Sequence, residues 1–149
     1  LSRFCGALYC TPDQLAPFVD RVRVERYVAG EKLQHIGEVP DGIRMIQSGT
    51  AMMIVEAPGG VRVPVTELTR DEIVGLTSLT RQGINAAVQA VTEVTVLALP
   101  VDVLDRIVEH RPELARDFGR EIDNRRQLVS QAFVRAGLPL PQGQRSIAY

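Results

Sequence analysis

The stretch RDEIVGLTSLTRQGINAAV, residues 70–88, decides how this chain is read. Two apolar residues, Ile73 and Val74, run into Gly75. A hydroxyl-rich segment over residues 77–82 follows, with the length of one short helical turn, and Ala86, Ala87 and Val88 resume a strand. Strand, glycine turn, helical turn and strand is the layout of a loop that holds a phosphate. The glycine lets the backbone approach closely, and the first N–H groups of the turn point at an anion. Thr77, Ser78 and Thr80 add hydroxyl donors, and Arg81 is the only cation inside the loop.

Outward from this loop the pattern is β-rich. Short apolar runs recur over residues 22–27, 32–36, 43–47, 51–56, 61–66, 86–91 and 94–99, with Ile73-Val74 as a further short strand. Turn signals separate them at short, regular intervals: Gly30-Glu31, residues 37–42, Ser48-Gly49 read as a tight hairpin, and Ala57-Pro58-Gly59-Gly60. Such spacing predicts a barrel or jelly roll, not an open parallel sheet. Upstream, Thr11-Pro12 opens a short helix with Leu15, Phe18 and Val19 on one side, ending near Asp20. After Pro100 the period changes from 2 to 3.6. A short helix carries Val103, Leu104, Ile107 and Val108 inward, and His110-Arg111-Pro112 breaks it. A longer helix over residues 112–134 places Leu114, Phe118, Ile122, Val129 and Phe133 on one face, with Arg125 between. The segment after Ala136 has Pro139, Pro141 and Gly143 and no periodicity, so a poorly ordered tail is expected.

Bulk composition narrows the function classes. The chain has 149 residues, 45% hydrophobic and 23% charged, which suits one globular domain. Its 17 basic and 18 acidic residues give a net charge of −1, so no excess of positive charge exists to neutralise nucleic-acid phosphates. No apolar run approaches the ~20 residues of a membrane span, and no secretory signal is visible. Cys5 and Cys10 are too few for a disulfide framework and lack partners for a zinc set; they read as reduced thiols of a cytoplasmic domain. Because the chain starts at Leu1, it is read as a fragment of a longer protein. No nucleophile constellation stands out, and Ser48 and Ser78 lack a G-x-S-x-G context, so an enzyme is not expected.

The turns Val28-Ala29-Gly30-Glu31-Lys32-Leu33, Gly37-Glu38-Val39-Pro40-Asp41-Gly42 and Ile46-Gln47-Ser48-Gly49-Thr50-Ala51, taken with Gly75 and Ala86-Ala87, resemble the cyclic nucleotide-binding domain family in order and spacing. The resemblance implies a mainly β fold with flanking helices: a double-stranded β-helix (jelly-roll) barrel, a short N-terminal helix and two C-terminal helices. It implies an N-terminal extension at residues 1–10, the domain at 11–134 and a flexible tail at 135–149. It also implies a ligand site made of Gly75, Leu76, Thr77, Ser78, Arg81, Asn85, Ala86, Ala87 and Val88. In the family a glutamate holds the ribose 2′-hydroxyl, an arginine pairs with the cyclic phosphate and a threonine often touches the ligand. By spacing, those positions are Leu76, Asn85 and Val88 here. A hydrogen bond to a charged group contributes about 1.5–3 kcal/mol. Losing two weakens binding by about 3–6 kcal/mol, on the order of 10²–10⁴-fold.

Three readings of the loop follow: residual binding of cyclic AMP or cyclic GMP, binding of another, less charged or more apolar small ligand, or an empty pocket on a structural or docking module. No resident cofactor is implied. Residues 76–82 and 113–126 are similar to the C-terminal domains of bacterial small-conductance mechanosensitive channels, which implies the cytoplasmic part of a membrane protein. A transporter or shell protein as parent fits the same residues. The implied partners are the remainder of the parent and a second copy through the long helix, the expected output element. Nucleic acid and direct membrane insertion are not implied.

Overall fold

A computed structural model describes residues 16–140. Cys5, Cys10, the expected extension at residues 1–10 and the expected helix start at Thr11 lie outside the described residues. Among the described residues a 3-10 helix, Ala16–Arg21, is followed by eight strands: β1 (Arg23–Tyr27), β2 (Lys32–Gln34), β3 (Gly42–Ser48), β4 (Ala51–Ala57), β5 (Val61–Leu68), β6 (Ile73–Val74), β7 (Ala86–Ala90) and β8 (Val94–Pro100). A second 3-10 helix, Leu76–Thr80, lies between β6 and β7. Two α-helices follow, α1 (Val101–His110) and α2 (Glu113–Arg135).

The strands form two four-stranded antiparallel sheets, in the orders β1-β8-β3-β6 and β2-β7-β4-β5. This is the mainly β jelly roll that the turn spacing predicts. One connection differs from the expectation. Ser48-Gly49 is not a hairpin, because β3 and β4 belong to different sheets. The chain changes sheet there, with Gly49 packed against the Glu93 carbonyl. Pro64, which cannot donate to a ladder, sits on the edge strand β5 beside a register shift. β2 is shorter than expected and releases Ile36 into the following turn.

Two apolar clusters hold the fold. One fills the space between the sheets, with Ile46, Met53, Val55, Leu68, Val88, Val94 and Val96, and is closed at one end by Val129, Ala132 and Phe133 of α2. The other lies between β3, β8 and the helices. It joins Ile43, Met45 and Leu99 to Val103, Leu104 and Ile107 of α1, to Leu114 and Phe118 of α2, and to Leu76. The stripe on α2 is therefore spent on its own domain. Leu114, Phe118, Val129 and Phe133 are buried, while Arg116, Arg120, Asp123 and Gln127 face outward. A twin helix could use that stripe only after α2 had left the barrel.

Residues 136–140, the described part of the expected tail, turn back onto the domain. Helix α2 ends in a left-handed turn at Gly137 (φ 70°), with Leu138 N–H donating to the Phe133 carbonyl at 3.0 Å and Gly137 N–H to the Val134 carbonyl at 3.1 Å. This nested pair satisfies two of the helix's last carbonyls and places an apolar residue, Leu138, back on the core. Pro139 then stops any helical continuation.

Candidate ligand-binding site

Gly75 fixes the loop between β6 and β7. Its φ is 92°, and a Cβ built there would lie 2.4 Å from the Gly42 carbonyl oxygen. No L-residue fits without moving β3. The loop helix Leu76–Thr80 starts directly after it, and a second left-handed residue, Arg81 (φ 53°), ends it.

The polar groups of this loop are turned upon the loop itself. Thr77 Oγ1 donates to the Gln82 carbonyl at 3.1 Å, and Thr80 Oγ1 donates to the Thr77 carbonyl at 3.2 Å. The Arg81 guanidinium caps the Ser78 and Leu79 carbonyls at 3.2 Å each and forms a two-pronged pair with Asp105 of α1 at 3.1 and 2.6 Å. That hydrogen bond raises Arg81 above its ordinary pKa and holds the Asp105 carboxyl below the usual carboxylate range. Ser78 is fully buried, and its hydroxyl has no partner among the described residues. The cation expected to face a phosphate is thus engaged by a carboxylate that lies 24 residues further on.

Leu76 is 4% exposed and packs in the helix-facing cluster. It lines a cleft with Leu114, Phe118 and Arg125. Its side chain is part of the packing between the loop and the helices. Beside it, Arg125 is 3% exposed, donates to the Ile73 carbonyl and lies 3.5 Å from the Glu121 carboxylate. Burial pushes its guanidinium below the ordinary value, opposed by Glu121 and Glu72. The loop is tied at both ends to the C-terminal helices, through Arg81–Asp105 to α1 and through Ile73–Arg125 to α2.

Ala86, Ala87 and Val88 are buried in β7 and pair with Val55, Ile54 and Met53 of β4. The Gln34 amide, buried itself, donates to the Ala86 carbonyl at 2.8 Å. Asn85 is half-buried and is the one member of the expected site that lines the cavity at the barrel mouth. That cavity, about 820 Å³, is bounded by Ile36, by Glu56, Ala57, Pro58 and Gly60 at the β4–β5 turn, by Phe133 at the end of α2, and by Leu138, Pro139 and Leu140. The sequence reading missed most of these residues. Ala57-Pro58-Gly59-Gly60 read as a plain hairpin turn, and the returning segment read as tail. The signal available was Gly137 followed by an apolar residue and Pro139, the pattern of a helix stop that folds back. No group of His, Cys, Asp and Glu among the described residues could hold a metal ion.

The sequence profile of the cyclic nucleotide-binding domain matches residues 24–111, and the chain belongs to that family. Among solved structures it is similar to the catabolite activator protein of Thermus thermophilus (19% identity, TM-score 0.68), which it covers over 62% of that chain and 92% of its own. It is similar to the cAMP-bound regulatory domain of PKA from Toxoplasma gondii (17%, TM-score 0.65; 48% of that chain, 81% of this one). It also resembles the regulatory subunit of a cAMP-independent protein kinase A from Trypanosoma brucei (21%, TM-score 0.58; 43% of that chain, 71% of this one). The chain spans less than two thirds of the length of each of these three proteins. The comparison with curated proteins returned no match.

Proposed function

We propose that this chain is a regulatory cyclic nucleotide-binding-like domain of a larger protein, non-enzymatic, in which the family's phosphate and ribose contacts have been lost. One observation carries the reading: the loop's only cation is bound to Asp105 while Leu76 occupies the core. Residues 76–82 and 113–126 favour a bacterial mechanosensitive-type channel as parent, with this domain on the cytoplasmic side. No helix among the described residues is long and apolar enough to cross a membrane. Helix α2 is the output element, since it closes the barrel mouth with Phe133 and is tied to the loop through Arg125.

The self-satisfied loop also favours a second reading, a ligand-free interaction module on the same fold. Titration calorimetry with cyclic AMP and cyclic GMP tests the first. With two charge-assisted contacts missing, a micromolar site becomes millimolar, about 10²–10⁴-fold weaker. Dissociation constants below about 10 μM for either nucleotide would show that the contacts are not lost.

A further inference from the structure

Resting on that reading, we propose that the mouth cavity binds a small apolar amine in place of an anionic nucleotide. Its volume of about 820 Å³ lies within the ~300–1,000 Å³ of small-molecule sites. Among the described residues, Glu56 is the one ionisable residue in its lining, and neither lysine nor arginine contributes. The Glu56 carboxylate is exposed, turned over the β4–β5 hairpin toward Gly60, and has no hydrogen bond or ion pair among the described residues. The remaining polar side chain is the Asn85 carboxamide, which offers both a donor and an acceptor. Apolar walls from Ile36, Pro58, Phe133 and Leu138 suit an aryl or alkyl body.

Two fields favour a cation there. One is Glu56. The other is the C-terminal end of the 23-residue helix α2, which carries the negative end of the helix dipole and abuts the cavity through Phe133. Both disfavour a phosphate. Arg81 is held by Asp105, and although Arg62 stands opposite Glu56 across the β4–β5 pair and Arg135 sits in the last turn of α2, neither lines the cavity.

Calorimetry on the full chain with three ligands of one indole body tests this: tryptamine, tryptophol and indole-3-propionate, beside cyclic AMP. Because Glu56 is exposed, the discrimination is modest. Tryptamine is expected to bind about fivefold tighter than tryptophol, and indole-3-propionate weakest. Glu56→Gln, a change on an exposed strand position, is expected to bring the three within about twofold. Equal or tighter binding of indole-3-propionate, or an order that survives Glu56→Gln, overturns the proposal and leaves the loss of nucleotide contacts standing. Cyclic AMP binding below 10 μM overturns both. Binding of none of the four overturns the proposal and favours the ligand-free module.

Discussion

Replacing Leu76 by Glu restores the residue type that the family places after the loop glycine, and sequence alignment alone expects nucleotide affinity to rise. The structure expects the reverse. Leu76 is 4% exposed among Ile43, Met45, Leu99, Leu104, Leu114 and Phe118. Removing its apolar surface costs about 2 kcal/mol. A carboxyl in its place loses hydration for a further ~2–4 kcal/mol, partly offset by Arg125 in the same cleft. The total, about 3–6 kcal/mol, is a large part of the ~5–15 kcal/mol that holds a domain of this size. The introduced carboxyl would have a folded pKa above its unfolded value of about 4.3. As pH rises through that value the unfolded chain gives up its proton first, so the deficit against wild type grows above about pH 4.5 and shrinks below it. Urea unfolding followed by circular dichroism at pH 7 and pH 4.5 measures both effects. A deficit under about 1 kcal/mol at pH 7, or tighter cyclic AMP binding in Leu76→Glu, would refute the placement of this side chain in the core.

Gly75→Ala is expected to destabilise by about 2–4 kcal/mol, from left-handed strain plus contact with the Gly42 carbonyl, read by the urea midpoint at unchanged slope. Arg125→Ala leaves the Ile73 carbonyl without its donor and opens a cavity, and a loss of about 2–4 kcal/mol is expected by thermal unfolding; Arg125→Lys should recover only part of it. The Asp105 carboxyl, held low by Arg81, favours the folded state above its unfolded pKa and loses that contribution as pH falls through the depressed folded value. An NMR titration should show Asp105 moving up toward the usual carboxylate range in Arg81→Ala, and no movement would break the assigned pair. Gly137→Ala should cost about 1–2 kcal/mol and raise amide exchange at Leu138, because the returning turn needs a positive φ.

These effects differ in how visible they were beforehand. The two helices after Pro100, the strand run and the family were legible because each depends on residues that are neighbours in sequence. Period 2 and period 3.6 are local, and the turns at Gly30, Gly37, Gly49 and Gly75 adopt the positive φ that their residue type favours. The short loop helix was placed within a residue or two for the same reason. Ser48-Gly49 was misread as a hairpin because local turn chemistry does not say which sheet the next strand joins.

For the loop over residues 70–88, the sequence by itself determined the frame: the left-handed glycine, the helical turn, the strand beyond, and the absence of the two charged groups that grip a nucleotide. Only the tertiary structure decided where the remaining groups point. Leu76 turns to the helices, Arg81 is taken by Asp105, and Asn85 alone reaches a cavity built partly from residues 138–140. Backbone conformation is set by nearest neighbours, whereas a side chain's direction and partner are set by groups that packing brings from 24 to more than 50 residues away.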